Sequence, residues 1–386
     1  MFKLIIAAAY ILVLLSCNGL SSQKNKSADK NTSNMQEGKD YILLKRFRVE
    51  DRQGFSVPIE VSSFVLPANW QVNSNVQWNP LSKCFPEMVQ ASVQAKSPEG
   101  DYELNVYPAA QFDWSTDPIQ LDAMKRGFYP HACTIAQPVD AAGYISNGLA
   151  PFINAQAKSA NIITQLQQQM DAGAQQMTMQ ARLAGNNAYN HRGSAAEGVL
   201  QFDDGKEGLA FCTIMQTIVT MPGTQGGVAN NIQCYAAMRI VLKYKAGNND
   251  MARKIMSTFF SSTRINPQWA NGVQSFFAAV TSNAQNQLWK QIQISHQAQE
   301  EIGNNIIRSW EAKNTKAGTS SPGDNDGFGQ YLRGVENYKD DNGNTIELTS
   351  GYTNAWSKGD GSYLLSNNPA FDPSVTFNEN WVRLNK

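Results

Sequence analysis

The residues able to carry chemistry are few and widely spaced. Five cysteines (Cys17, Cys84, Cys133, Cys212, Cys234) and three histidines (His131, His191, His296) occur in 386 residues. No C-x-x-C or H-x-x-x-H spacing is present, so the sequence indicates no metal site. A cysteine nucleophile needs a base, and Pro130-His131-Ala132-Cys133 leaves a Cys84/His131 dyad as the one pairing of that type. A Cys84–Cys133 disulfide would remove that nucleophile. The S-x-x-K spacing of a lysine-activated serine falls only at Ser21/Lys24 and Ser27/Lys30, in a polar stretch that can build no pocket. Asp203/Asp204 and Asp340/Asp341 are paired carboxylates in turn sequences, where solvated turn formation is the usual role. Asp324-Asn325-Asp326-Gly327 starts like a calcium loop but lacks the later bidentate glutamate. Gly205 and Gly226-Gly227 do not open a helix after a strand, so no phosphate loop is expected. The expectation is no catalytic, cofactor or metal residue.

The most informative segment is the N-terminal one. Lys3 supplies one positive charge, Leu4 to Leu15 is apolar, and Leu14-Leu15-Ser16-Cys17 follows. The apolar run is shorter than the roughly 20 residues a permanent membrane helix needs. It reads as a signal-peptide core over 1–16. Its end resembles the lipobox of bacterial lipoproteins, which implies that Cys17 is lipidated and becomes the first residue of the mature chain. Asn18 is not the aspartate that retains enteric lipoproteins in the inner membrane, which favours the outer membrane. Residues 17–40, rich in Ser, Asn and Lys, with only Leu20 and Met35 large and apolar, read as a flexible tether.

Export to an oxidising compartment sets the reading of the remaining cysteines. Cys212 and Cys234 lie on two β-rich runs, Leu209 to Thr220 and Ile232 to Tyr244, around Met221-Pro222-Gly223-Thr224. If the hairpin centres on Gly223 the two face each other and can bond; a shifted register leaves two buried thiols. Cys84 with Cys133 is the other pair.

The chain carries 32 basic and 32 acidic residues, while 36 Asn and 31 Gln together outnumber them. That balance argues against a nucleic-acid partner, which draws a basic excess. Removing residues 1–16 subtracts only Lys3, and Lys24, Lys26, Lys30 and Lys39 lie on the tether, so the folded body is mildly acidic.

The body, 41–264, reads as β-rich with a helical insert. Tyr41 to Trp114 alternates apolar and polar around Pro67-Ala68-Asn69-Trp70 and Ser97-Pro98-Glu99-Gly100-Asp101, a strong hairpin signal. "FVLPANWQVNSNVQW" and "ASVQAKSPEGDYELNVYP" resemble the PsbP-like fold, which implies an antiparallel sheet with helices packed against it. Trp70, Trp78 and Trp114 read as core or sheet-face aromatics. A Gln- and Met-rich stretch at about 150–184 predicts one or two helices, with Ile162, Leu166, Met170, Met177 and Leu183 on one face. Asp203-Asp204-Gly205 predicts a turn, and Met251 to Phe260 a short amphipathic helix.

Asn266 caps a helix starting at Pro267, whose apolar face (Trp269, Val273, Phe276, Val280, Leu288, Ile306, Trp310) can be followed over 265–313. Unbroken, it would span about 70 Å, so it projects, breaks near Ser295, or pairs with the Gln-rich helix. From 328 to 386, Asn342-Gly343 and Asp360-Gly361 predict a three-stranded meander (Leu332 to Tyr338, Thr345 to Trp356, Tyr363 to Ser366) carrying Tyr338, Tyr352, Trp356, Tyr363 and Phe371. This tail, "INPQWANGV" and the Pro67–Trp70 turn resemble a family of uncharacterised bacterial envelope lipoproteins, which implies an architecture and no activity.

The fold class expected is α+β: antiparallel sheets with packed helices, one long helix and a C-terminal aromatic meander. Two functions stay open. The first is a non-enzymatic envelope protein, held at the membrane by its lipid and binding a protein or polymer partner. The second is a divergent envelope hydrolase acting on peptide or glycan.

Overall fold

The computed structural model describes residues 35, 37, 40–128, 133–283, 335–339 and 345–385. Cys17, residues 18–34, His131, the residues beyond Asn283 with His296, Asp324–Gly327, Asp340/Asp341 and Asn342-Gly343 lie outside the described residues.

In chain order the strands of the first part are β1 (Tyr41–Asp51), β2 (Ile59–Pro67), β3 (Gln71–Trp78), β4 (Val89–Lys96), β5 (Tyr102–Tyr107), β6 (Ala110–Ser115), β7 (Thr134–Ile135) and β8 (Ala155–Ile162). They continue as β9 (Tyr189–Phe202), β10 (Glu207–Pro222), β11 (Val228–Tyr244), β12 (Arg264–Ile265), β13 (Val335–Lys339), β14 (Thr345–Thr349), β15 (Asn354–Ser357), β16 (Ser362–Ser366) and β17 (Val382–Arg383). The helices are α1 (Pro118–Lys125), α2 (Ala141–Tyr144), α3 (Ala150–Phe152), α4 (Thr164–Leu183), α5 (Asn249–Ser262), α6 (Pro267–Asn283) and α7 (Pro373–Phe377). The molecule is α+β with antiparallel sheets. One sheet has the order β12-β2-β1-β16-β15-β17; the larger runs β3-β4-β5-β11-β10-β9-β8, with β6 also on β11 and β7 parallel to β6.

The long strands follow from turn chemistry. Asp203-Asp204-Gly205 joins β9 to β10 with Gly205 at φ +79°, and Pro98–Asp101 joins β4 to β5 with Gly100 at φ +72°. These left-handed positions suit glycine because they cost a Cβ-bearing residue energy. Each face of the larger sheet buries a core. On one face Leu104, Phe211, Met215, Ile240 and Leu242 meet α4 through Leu166, Met170, Ala174 and Met177, and α5 through Ile255, Met256, Phe259 and Phe260. On the other, Ala196, Leu200, Ala210, Ile214, Ala236 and Val241 meet Tyr144, Ile145 and Leu149. Gly198 permits the second contact, since a Cβ there would come within 2.8 Å of Ile145.

Several sequence expectations need correction. The insert at about 150–184 is not wholly helical: residues 155–162 form β8, hydrogen-bonded to β9, before α4 starts at Thr164. On this edge strand Ala155, Ala157 and Ala160 pack against the second core, while Ile162 is 37% exposed; Leu183, in the last turn of α4, is 81% exposed, and Ile163 takes the buried position instead. The β-rich stretch from Tyr41 to Trp114 divides between two sheets, β1 and β2 in the smaller and β3 to β6 in the larger. The C-terminal tail is not one meander: β13 pairs with β14 and bridges Asn385 through Lys339, while β15 and β16 extend the smaller sheet beside β1. Its aromatics divide accordingly, Tyr338 and Tyr363 packing with Leu44 and Leu365, and Trp356 and Phe371 with Leu364 and Trp381. Of the expected long helix over 265–313, Pro267–Asn283 form α6, where the Asn266 side chain accepts from Gln268 N at 3.0 Å, and the rest lies outside the described residues. Its Phe276 meets Trp78 edge-on, 5.0 Å between centroids, and Phe277 lies 4.1 Å from Phe85.

Candidate functional site

A cleft of about 830 Å³ opens on the second face of the larger sheet, where Arg239 of β11 meets the helical segment 141–152. Its position starts with a proline. Tyr107 at the end of β5 and Ala110 at the start of β6 pair with Arg239 and Ala236 in one register, so β5 and β6 are one partner strand broken at Pro108-Ala109. Pro108 has no N–H to give to the ladder, and its carbonyl oxygen accepts from Arg239 Nη1 at 2.7 Å.

Opposite that break β11 carries one extra residue. Between Phe211 and Thr213 on β10, β11 advances from Ile240 to Ala237, so Met238 and Arg239 together oppose Cys212. Met238 has φ +49°, a left-handed conformation that costs a non-glycine residue about 1–2 kcal/mol. The bulge shifts the two-residue alternation by one: Cys234 and Ala236 face the cleft side before it, Val241 after it. Arg239 shares the face of Val241. Bulges commonly re-aim a side chain in this way.

The opposite wall is irregular too. Asp140 caps α2, its side chain accepting from Gly143 N at 2.7 Å, and the helix widens into a single π turn, Ile145–Leu149, before α3. This turn brings Asn147 and Gly148 to the cleft between Tyr144 and Phe152. The floor includes Phe112, stacked on Tyr144 at 5.7 Å. The rim is stapled by a disulfide between Cys84 and Cys133, with Cα atoms 4.8 Å apart. Cys133 N also donates to Asp113 at 2.9 Å. Burial pushes the Asp113 carboxyl above the usual range, against the bonds from Cys133 and Gln111.

Among the described residues Arg239 is the only cation lining the cleft, and Glu87, which accepts from Ser82 Oγ at 2.8 Å, is the only anion. The Arg239 guanidinium lies 4.8 Å from the Phe152 ring centroid, 5.8 Å from Tyr144 and 5.9 Å from Tyr107. The residue is 6% exposed, yet among the described residues no carboxylate lies within ion-pair distance and Nε has no hydrogen-bond partner. An orphaned donor of this kind costs about 1–3 kcal/mol. The aromatic rings return part of the lost hydration, since a cation–π contact is worth about 0.5–2 kcal/mol. They cannot replace an acceptor.

The residues singled out from sequence are distributed differently. Cys84 and Cys133 form the rim disulfide, so Cys84 is no free nucleophile for His131, which lies outside the described residues. The Cys212–Cys234 disulfide is not formed, and both thiols are free and buried. The physical reason is register: the turn spans Gly223–Gly227 and Pro222 pairs with Val228, so Cys234 faces Gln216, four residues from Cys212. Burial pushes both thiols up to about 12, which leaves no thiolate at neutral pH. His191 is buried under α4, its backbone N donating to Thr178 Oγ1 at 2.9 Å, and burial lowers its pKa to about 4. Asp203 and Asp204, with Tyr107, line a second, smaller cleft of about 360 Å³, where Lys243 bridges Asp204 at 2.7 Å.

Sequence reasoning missed Arg239, Tyr107, Tyr144 and Phe152. Two signals were available: a lone arginine inside the apolar run "AAMRIVL", and Pro108 inside an otherwise strand-like stretch. Among the described residues no group of three His, Cys, Asp or Glu is placed to hold a metal ion. Compared with known proteins, the chain matches no protein-family model, no curated protein and no solved structure.

Proposed function

We propose that the protein is a lipid-anchored, non-enzymatic binding protein of the cell envelope, and that the Arg239 cleft is where its folded body takes a ligand. The observation that carries the binding role is a large cleft into which two backbone irregularities, the Met238 bulge and the π turn at 145–149, direct a buried cation and aromatic rings. Such sites are mostly apolar with a few placed polar groups. A hydrolytic role has no support from this lining. Among the described residues its one cysteine, Cys84, is bonded to Cys133, and its one carboxylate, Glu87, accepts from Ser82. The anchor rests on Lys3, the apolar run Leu4 to Leu15, Ser16-Cys17 and the polar tether. Asn18 supports the outer membrane as its place.

Cell fractionation tests the anchor. The native protein is expected in the membrane fraction and the Cys17→Ala protein out of it; continued membrane retention of the variant would overturn lipidation. Incubation with a digest of cell-wall glycopeptides and with a mixed peptide pool tests the rest. The substrates should remain intact by mass spectrometry, and any released fragment would establish the hydrolase instead.

A further inference from the structure

We propose that the Arg239 cleft binds an organic monocarboxylate with an apolar body, its carboxylate paired with the Arg239 guanidinium where it lines the cleft and its body against Tyr144 and Phe152. This rests on the binding reading above and names the ligand class. Three observations converge on it. Arg239 Nη1 is already committed to the Pro108 carbonyl, whereas Nε, though buried, has no acceptor. A carboxylate is the group whose two oxygens match two parallel guanidinium N–H bonds. The charge count selects among anions: among the described residues Arg239 is the one cation of the lining and Glu87 leaves it with no net charge, which disfavours a dianionic phosphate more than a monoanion. The rest of the lining, with Phe112, Ala109, Ala110, Ala136 and Val139, is apolar and sets the body of the ligand.

Burial explains why the bond would be strong. Arg239 has little water to surrender, so an arriving anion exchanges its own hydration for a preformed donor held by Pro108 and three rings. Phe152, 60% exposed, is the part of this wall that a ligand would cover.

The test uses the folded protein and three probes of one shape, 2-naphthoate, neutral 2-naphthamide and 2-naphthyl phosphate, titrated by calorimetry. Naphthoate is expected to bind at least about ten-fold tighter than the amide, the scale of one charge-assisted bond pair, and tighter than the phosphate. Arg239→Met should reduce the acid-to-amide ratio to near one, and Arg239→Lys, which keeps the charge and loses the fork, should give an intermediate ratio. Phe152→Ala, at an exposed position that does not threaten folding, should weaken acid and amide alike and leave their ratio unchanged. An amide binding as well as the acid to the native protein would overturn the carboxylate site while leaving the cleft as a binding site. Tighter binding of the phosphate would overturn the choice of anion. Indifference of all probes to Phe152→Ala would place them elsewhere, and no binding at millimolar concentration would overturn both the ligand class and the cleft.

Discussion

Asp51 and Arg239 are both charged and nearly devoid of solvent contact, with 0% and 6% of their surface exposed, yet the chain treats them in opposite ways. Asp51 sits at the end of β1 and accepts four hydrogen bonds: from Gln53 N at 2.9 Å, Gly54 N at 3.0 Å, Trp78 Nε1 at 2.8 Å and Trp269 Nε1 at 2.9 Å. Burial raises its pKa, but these donors outweigh burial and hold the carboxyl below the usual carboxylate range. Through two indoles it joins the smaller sheet to the larger and to α6. Arg239 donates to the Pro108 carbonyl, bonds the Tyr144 side chain, lies against three rings and keeps a buried Nε with no acceptor. A buried charge whose bonds are all made internally is a structural joint. One that lines a cleft with a donor unsatisfied is the better candidate for a ligand site.

The strongest test of this contrast is Asp51→Ala. It strands two indole N–H groups and two backbone N–H groups, and should cost about 3–4 kcal/mol in urea unfolding. Arg239→Met should change stability by no more than about 1 kcal/mol and can raise it, because it removes an incompletely paired buried charge while keeping the apolar stem. Equal losses for the two variants would mean that Arg239 is a structural joint as well, and the contrast would fail.

Acid sharpens it next. His191 titrates at about 4 in the folded state against about 6.5 when free. Between those values the unfolded chain binds the proton and the folded chain does not, so stability falls as pH drops from about 6.5 to about 4. The full loss, reached below about pH 4, is roughly 3 kcal/mol, because each tenfold difference in proton affinity between the two states is worth about 1.4 kcal/mol. Asp51 works in a lower window. Its stabilisation is complete above about 3.8, the unfolded value, and is lost as pH falls through its depressed folded value. Urea midpoints measured from pH 7 to 3 should therefore decline in two stages, and His191→Gln should flatten the upper one. A variant that keeps the decline between pH 6.5 and 4 would assign it to another group.

How much of this was legible before the structure depended on which physical rule placed each residue. Hairpins marked by Pro98–Asp101 and Asp203–Gly205 were readable because glycine turns act locally. The Asn266 cap and the Phe276 face of α6 were readable because helical periodicity survives in the residues themselves. Register was not. The Cys212–Cys234 reading failed because the turn is centred two residues beyond Gly223, and a two-residue shift at a turn becomes four across a ladder. Strand identity at 155–162 was hidden by a composition that favours helix, overridden by pairing with β9. Arg239 was hidden by the bulge: only the extra residue at Met238 puts it on the cleft side, and no local pattern marks that residue as extra.

The smallest effect expected is at Lys243, which makes the comparison on a single strand. Lys243 and Arg239 are two cations of β11, Arg239 opposite Tyr107 and Lys243 opposite Glu103, and Lys243 has its own anion, Asp204 at 2.7 Å, together with the Phe202 ring at 4.4 Å. Asp204 is about half exposed, its side chain retaining 48% of its surface, so water and salt can replace it. Asp204→Asn should cost no more than about 0.5–1 kcal/mol, and the loss should shrink as salt is raised. Pairing, not burial alone, would then separate the two cations, since Lys243 has a carboxylate that solvent can replace and Arg239 has a cleft in which nothing of the described chain serves. A loss above about 2 kcal/mol that resists salt would show instead that Asp204 is a structural joint like Asp51. The smaller cleft would then belong to the framework, leaving Arg239 as the cation on this face of β11 that its neighbours leave unpaired.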